Sequence, residues 1–252
     1  MTHKPNNFKE PMFVVVTVDG PAGAGKTTIA RKLAKQLGFC MLDSGALYRT
    51  VALALLRAGI IPNDEIIPDD LLKSINIDIE PAVGSMQISL DGEDVSSEIR
   101  SEYVGVAASI FSAKAEVRRK LLGIQRSVAL QCDLVAEGRD MGEVVFPFAQ
   151  MKFFLTASAE ERAKRRYEEL LQKGAQPSYS EVFLEMRARD HRDETRALAP
   201  MVPAKDATIV DTTNLTPDQI LGTMLKLTKS RLDLLKQETA AKKLDRPAKF
   251  FL

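Results

Sequence analysis

Gly20, Gly25, Lys26 and Thr27 fall at the spacing G-x-x-x-x-G-K-S/T. That spacing serves one chemistry, the grip of a phosphate chain. Glycines let the backbone curl until successive N–H groups point at one centre. The N-terminus of a following helix adds partial positive charge at the same place. Lys26 is placed to reach terminal phosphates, and the Thr27 hydroxyl to help hold Mg²⁺. The context agrees: an apolar run, Val14–Val18, leads into the loop, and Ile29, Leu33 and Leu37 repeat every four residues after it.

Three further clusters could supply a second ligand, and each has two readings. Asp43, Ser44, Gly45, Tyr48 and Arg49 follow the second apolar run. In an open α/β sheet this edge faces the ligand crevice, where the Arg49 fork could grip a phosphate; the other reading is a capped helix with a solvated arginine. Gly138-Arg139-Asp140-Met141-Gly142 also follows an apolar run. Its flanking glycines suit close backbone approach to a ligand, or equally a turn with an internal ion pair. Arg189, Asp193 and Arg196 lie at i, i+4 and i+7 and share a helix face. With Arg162, Arg165 and Arg166 they make two basic helices around a break at 173–178. The pair reads as a lid closing over phosphates, or as two solvated faces laced with ion pairs.

The elements that must hold these clusters can be read in order. Strand patterns at 13–19, 39–42, 133–136, 152–155 and 207–210 alternate with helical ones, which argues for an α/β architecture. Residues 60–100 break the rhythm. Pro62, Pro68 and Pro81 punctuate them, Ile75, Ile77 and Ile79 alternate with polar residues, as do Met86, Ile88 and Leu90, and Asp91-Gly92 is a hairpin signal. This predicts a small antiparallel sheet inserted in the core. Residues 101–130 read as helix, breaking near Ser112. Ser158 and Glu161 form a capping box for a helix that stops at Gly174, and Thr216-Pro217 opens the last helix. The expected organisation is a flexible arm over 1–12, one domain over 13–237, and a flexible tail over 238–252. Within the domain, the core takes 13–59 and 101–230, the insert 60–100 and the lid 158–196.

Composition narrows the possibilities. A chain of 252 residues with 45% apolar and 27% charged side chains can bury a substantial core. A net charge of +1 gives no bulk attraction to nucleic acid or anionic membrane. No apolar run approaches a membrane span, and the polar start has no signal-peptide hydrophobic region, so a cytoplasmic protein is expected. Cys40 and Cys132 form no CxxC pair and suit a reducing compartment. Two histidines rule out a multi-histidine metal site. No Asp stands three residues before a Gly and no Asn precedes a Lys, which argues against a GTPase switch.

Taken together, DGPAGAGKTT, LDSGALYR, DGEDVSSEIR, EGRDMGEVVFP and RARDHRDETRALAP resemble the bacterial cytidylate kinases of the nucleoside monophosphate kinase superfamily, over roughly 13–230. The resemblance implies a three-layer P-loop fold with a parallel central sheet and helices on both faces. It adds a small antiparallel insert in the monophosphate-binding region and a helical lid. It implies phosphoryl transfer from ATP to CMP or dCMP, with Mg²⁺, by a monomer that needs neither nucleic acid nor membrane. Gly20, Pro21, Ala22, Gly23, Ala24, Gly25, Lys26, Thr27 and Thr28 would hold ATP. Ser44, Arg49, Arg139, Arg189, Asp193 and Arg196 match positions that hold the sugar and phosphate of the monophosphate, while Ser109, Arg118 and Asp140 match those that read cytosine. Arg162, Arg165 and Arg166 would turn toward the transferring group, so the implied catalytic set is Lys26, Arg139, Arg165, Arg189 and Arg196. Glu137 departs from the pattern, standing where many relatives have aspartate.

Overall fold

The structure is a computed structural model that describes residues 13–64 and 66–244. The predicted arm, 1–12, and the end of the predicted tail, 245–252, lie outside the described residues. The first half of the chain runs β1 (Val15–Asp19), α1 (Lys26–Leu37), β2 (Cys40–Asp43), α2 (Ser44–Arg57), α3 (Asp69–Ser74), β3 (Ile77–Ala82), β4 (Ser85–Leu90), β5 (Glu93–Asp94), α4 (Glu102–Phe111) and α5 (Ala115–Val128). The second half runs β6 (Leu134–Glu137), β7 (Met151–Thr156), α6 (Ala159–Gln172), α7 (Tyr179–Thr195), β8 (Thr208–Asp211) and α8 (Pro217–Leu244).

Five parallel strands form the central sheet in the order β2-β6-β1-β7-β8. Successive side chains on a strand face opposite ways, and here both faces are apolar. Val15, Leu42, Leu134 and Ala136 pack with α2, α4 and α5. Val16, Val18, Met41 and Val135 pack with α1 and α8. A parallel sheet needs both faces covered, and this alternation produces the three layers expected.

The insert is also as expected, an antiparallel β3-β4-β5 sheet with Asp91-Gly92 turning into β5. Ile77, Ile88 and Leu90 carry it onto the α2 layer. The chain between Glu102 and Val128 is two helices, broken around Ser112.

Three features differ from the sequence reading. The short helix α3 starts behind Pro68 with Asp69 and Asp70 in its first turn, and six residues carry too little periodicity to be legible. Met141–Val145 forms a π-helical turn. Helix α8 continues past Glu238 to Leu244, into the predicted tail. Among the described residues, no helix is long and apolar enough to cross a membrane.

Candidate active site

The carboxyl ends of the parallel strands share one edge, and Asp19, Asp43 and Glu137 end β1, β2 and β6 there. The phosphate loop leaves β1 at Gly20, whose φ is 139°. A Cβ at Gly20 would sit 2.0 Å from the Leu155 carbonyl oxygen, so only glycine lets the loop pass over β7. Gly25 then opens α1. Lys26 is buried and its Nζ donates to the Pro21 carbonyl at 2.7 Å. The Thr27 hydroxyl donates to Glu137 Oε1, also at 2.7 Å.

Burial works against every charge here. It lowers the Lys26 pKa, and the Arg139 and Arg189 cations lower it further, while Glu137 and Asp19 oppose the shift. Burial, with help from Asp43, raises Glu137 against the pull of Lys26. Burial lifts Asp19 to about 7. The pocket floor is therefore built for a ligand that brings its own charge.

On the other side, Asp43 caps α2 by accepting the Ala46 N–H at 2.9 Å. The cap presents Ser44, whose Oγ accepts from Gln125 at 2.9 Å, and Arg49 one turn on. The Arg49 guanidinium donates to the Ile99 and Ser101 carbonyls at 2.9 and 3.1 Å. Asp193 gathers three arginines: Arg139 donates to it at 3.1 Å, with Arg196 at 3.9 Å and Arg189 at 4.0 Å. Burial alone would raise Asp193, but these cations hold it below the usual carboxylate range. Asp140 pairs with Arg118 and, at 3.5 Å, with Arg196. Its pKa is raised, because burial outweighs the pull of Arg118 and Arg196.

Both sides open on one cleft of about 1000 Å³. Loop residues from Ala22 to Thr28 line it, with Ser44, Arg49, Ser109, Arg139, Asp140, Arg165, Arg189, Asp193 and Arg196. Gly20 and Pro21 lie off its wall. So does Arg118, drawn back by Asp140 and stacked over the Tyr48 ring at 5.6 Å. Among the described residues, five buried side-chain polar atoms make no hydrogen bond. Three of them, Ser109 Oγ, Arg189 Nε and Arg196 Nη2, belong to residues lining this cleft. Arg196 Nη2 and Arg189 Nε still lie 3.5 and 4.0 Å from the Asp140 and Asp193 carboxylates, and the arginine-rich lining as a whole suits an anionic ligand.

The comparisons agree with the geometry. Residues 16–230 match the family model described as Cytidylate kinase. The chain is 47% identical over 221 residues to the cytidylate kinase of Pasteurella multocida, covering 88% of this chain and 97% of that protein. It is 47% identical over 218 residues to that of Vibrio cholerae, covering 86% and 97%.

The chain belongs to the cytidylate kinase family.

Sequence reasoning missed two members of the site. Arg100 lines the cleft and donates to Asp43 at 2.9 Å. Gln125 lies buried on α5 behind Ser44. Both meet the site through contacts distant in sequence, which leave no mark on spacing.

The three arginines of α6 separate by environment. Arg165 and Arg166 line the cleft. Arg165 also donates to the Thr212 carbonyl and hydroxyl at 2.7 and 3.1 Å. Arg166 pairs with Glu102 on α4 and with Glu169. Arg162, expected to turn toward the transferring group, does not face the cleft. It is buried, paired with Asp190 of α7, and donates to the Ala22 and Ala157 carbonyls at 3.1 Å. It thus ties α6 and α7 to the phosphate loop. Removing one partner of a buried pair leaves the other charge uncompensated, so Asp190→Asn is expected to cost about 3–5 kcal/mol of stability. Chemical denaturation checks this, and an unchanged midpoint would mean the pair holds nothing.

Proposed function

We propose that the enzyme transfers the terminal phosphoryl group of ATP to CMP or dCMP, giving ADP and CDP or dCDP. One observation carries this reading: a phosphate loop and a set of arginines line a single cleft. In this reading Gly20–Thr28 hold ATP. Arg49, Arg139, Arg189 and Arg196 hold the acceptor phosphate, with Ser44 beside them, and Asp193 takes the sugar hydroxyl. Ser109, Asp140 and Arg118 read the base, the last through Asp140.

The acceptor needs no general base. A phosphate monoester has a second pKa near ~6 and is mostly ionised at neutral pH. What remains is to bring two polyanions into line and offset their repulsion. Lys26 and the arginines supply fixed positive charge, and closure of α6 and α7 would exclude water as a competing acceptor. Thr27 and Glu137 offer hard oxygen donors beside the loop, which suits Mg²⁺ shared with nucleotide phosphates. When bound, that ion would neutralise charge on the phosphates. The same reading takes the enzyme as a cytoplasmic monomer that acts on free nucleotides.

Nucleotide binding is expected to take up protons. Burial lowers Lys26 in the free protein, while bound phosphates would raise it, so the complex holds more protons than the free components. Affinity for Mg²⁺-free ADP should therefore fall as pH rises above neutrality. Calorimetry at pH ~8 in buffers of different ionisation enthalpy measures the uptake; release of protons would contradict this account. The activity itself is tested by incubating the protein with ATP, Mg²⁺ and CMP and following the ³¹P spectrum. CDP should appear as ATP is consumed, and its absence at saturating substrates would refute the reading.

A further inference from the structure

Asp19 has no part in the roles assigned so far. It ends β1, one residue before the phosphate loop, and is buried. Its carboxylate turns sideways to the neighbouring strand's exit. Oδ1 accepts the Met141 N–H at 2.8 Å and Oδ2 accepts the Gly142 N–H at 2.8 Å. These N–H groups open the π-helical turn, where no earlier carbonyl is in register to take them. Three residues upstream of Met141, the Gly138 N–H donates to the Val18 carbonyl at 3.1 Å. The segment leaving β6 is thus pinned to the end of β1 at both ends, and Arg139 and Asp140 lie between the pins.

The packing is close enough to make the placement strict. A Cβ at Gly142 would sit 2.8 Å from Thr17 Oγ1 and 3.4 Å from Asp19 Oδ2. Thr17 Oγ1 itself makes no hydrogen bond, so this is a surface of contact.

We propose that Asp19 is a positioning residue for the acceptor: its two oxygens set the Gly138–Gly142 segment, and with it Arg139 and Asp140, at a fixed offset from the phosphate loop. One carboxylate thereby sets the distance between the two substrates. The identity of the acceptor rests on the function proposed above; the anchor does not. Asparagine cannot replace aspartate here. It presents one acceptor oxygen and one NH₂ group, so one backbone N–H would face a donor.

The test is Asp19→Asn in the full chain, read two ways. Amide hydrogen exchange at Met141 and Gly142 should speed up. KM for CMP should rise and the preference for CMP over UMP should fall, each by roughly ten- to hundredfold, the scale of one buried donor left without its acceptor. KM for ATP should change less than KM for CMP, because toward the loop Asp19 acts only through its charge beside Lys26. Unchanged exchange would overturn the proposal, and so would a rise in KM for ATP without one for CMP, since Asp19 would then serve the loop. If Asp19→Asn does not fold, Gly142→Ala takes its place, pushing the same turn off β1. It should reproduce the acceptor defect, and Gly142→Ala with Thr17→Ala should relieve it by removing the clashing Oγ1. A double variant as impaired as the single one, or a harmless Gly142→Ala, would overturn the anchor. Lack of CMP turnover in the unaltered protein would sink the acceptor's identity alone, and the exchange rates would still decide the anchor.

Discussion

Lys26→Ala is expected to fold normally and to lose roughly 10²–10³-fold in kcat, the cost of removing one preorganised donor from a charge-stabilising site. The two halves of this expectation share one cause. The Lys26 ammonium is buried close to Arg139 and Arg189, and both burial and these cations push its pKa down. A lysine whose pKa is lower in the folded than in the unfolded chain opposes folding while the unfolded lysine is charged. Removing it should therefore leave thermal stability at neutral pH unchanged or raised. On the proposed reading the charge is held there, against stability, for the two polyanions that would meet beside it. Thermal unfolding and steady-state kinetics on the same preparation check both halves. Near-normal turnover would remove Lys26 from the mechanism, and a large fall in Tm would mean its role is structural.

The second large effect is on the choice of base. Asp140→Asn is expected to lower the preference for CMP over UMP by about 10²-fold or more, since a site built to hydrogen-bond a substrate group rejects the analogue lacking it strongly. Cytosine presents an amino donor where uracil presents a carbonyl. The Asp140 carboxylate, held between Arg118 and Arg196, would on the proposed reading accept from the cytosine amino group and repel the uracil carbonyl. An asparagine amide can turn and donate instead, which admits uracil. Asparagine is a better test than alanine, which would leave Arg118 and Arg196 facing each other uncompensated. Burial raises the Asp140 carboxyl above its ordinary value, so the preference should also erode as pH falls and the group gains a proton. Kinetics with both nucleotides across pH measure each effect. A CMP-to-UMP ratio indifferent to the substitution would take Asp140 out of base recognition.

What could be read from the sequence was whatever is local. The phosphate loop is one continuous strand–turn–helix segment, and its glycines and lysine declare themselves by spacing. Strand alternation was legible for the same reason: Val15 and Val16 each state their own side of the sheet. Arg189 and Asp193 could be grouped because helical spacing puts them on one face of α7. Arg196, expected on the same face, is instead the extended C-cap where the helix stops, and it reaches Asp193 and Asp140 from there. The contacts that aim these groups could not be read. Asp19 meets Met141 and Gly142, Gln125 meets Ser44, and Arg100 meets Asp43 across long stretches of chain with no periodic signature. Arg162 shows the limit most clearly. It shares a helical face with Arg165 and Arg166, yet only the packing of α7 and its Asp190 decides that it is buried while they line the cleft.

Phosphorylation of a cytosine monophosphate in this cleft is tested most directly by a coupled ADP-release assay with ATP and Mg²⁺, offering CMP, dCMP, UMP, AMP and dTMP separately. kcat/KM for CMP and dCMP should stand well above that for the other three. Turnover led by UMP, AMP or dTMP would contradict it and would strip Ser109, Arg118 and Asp140 of the role given to them here.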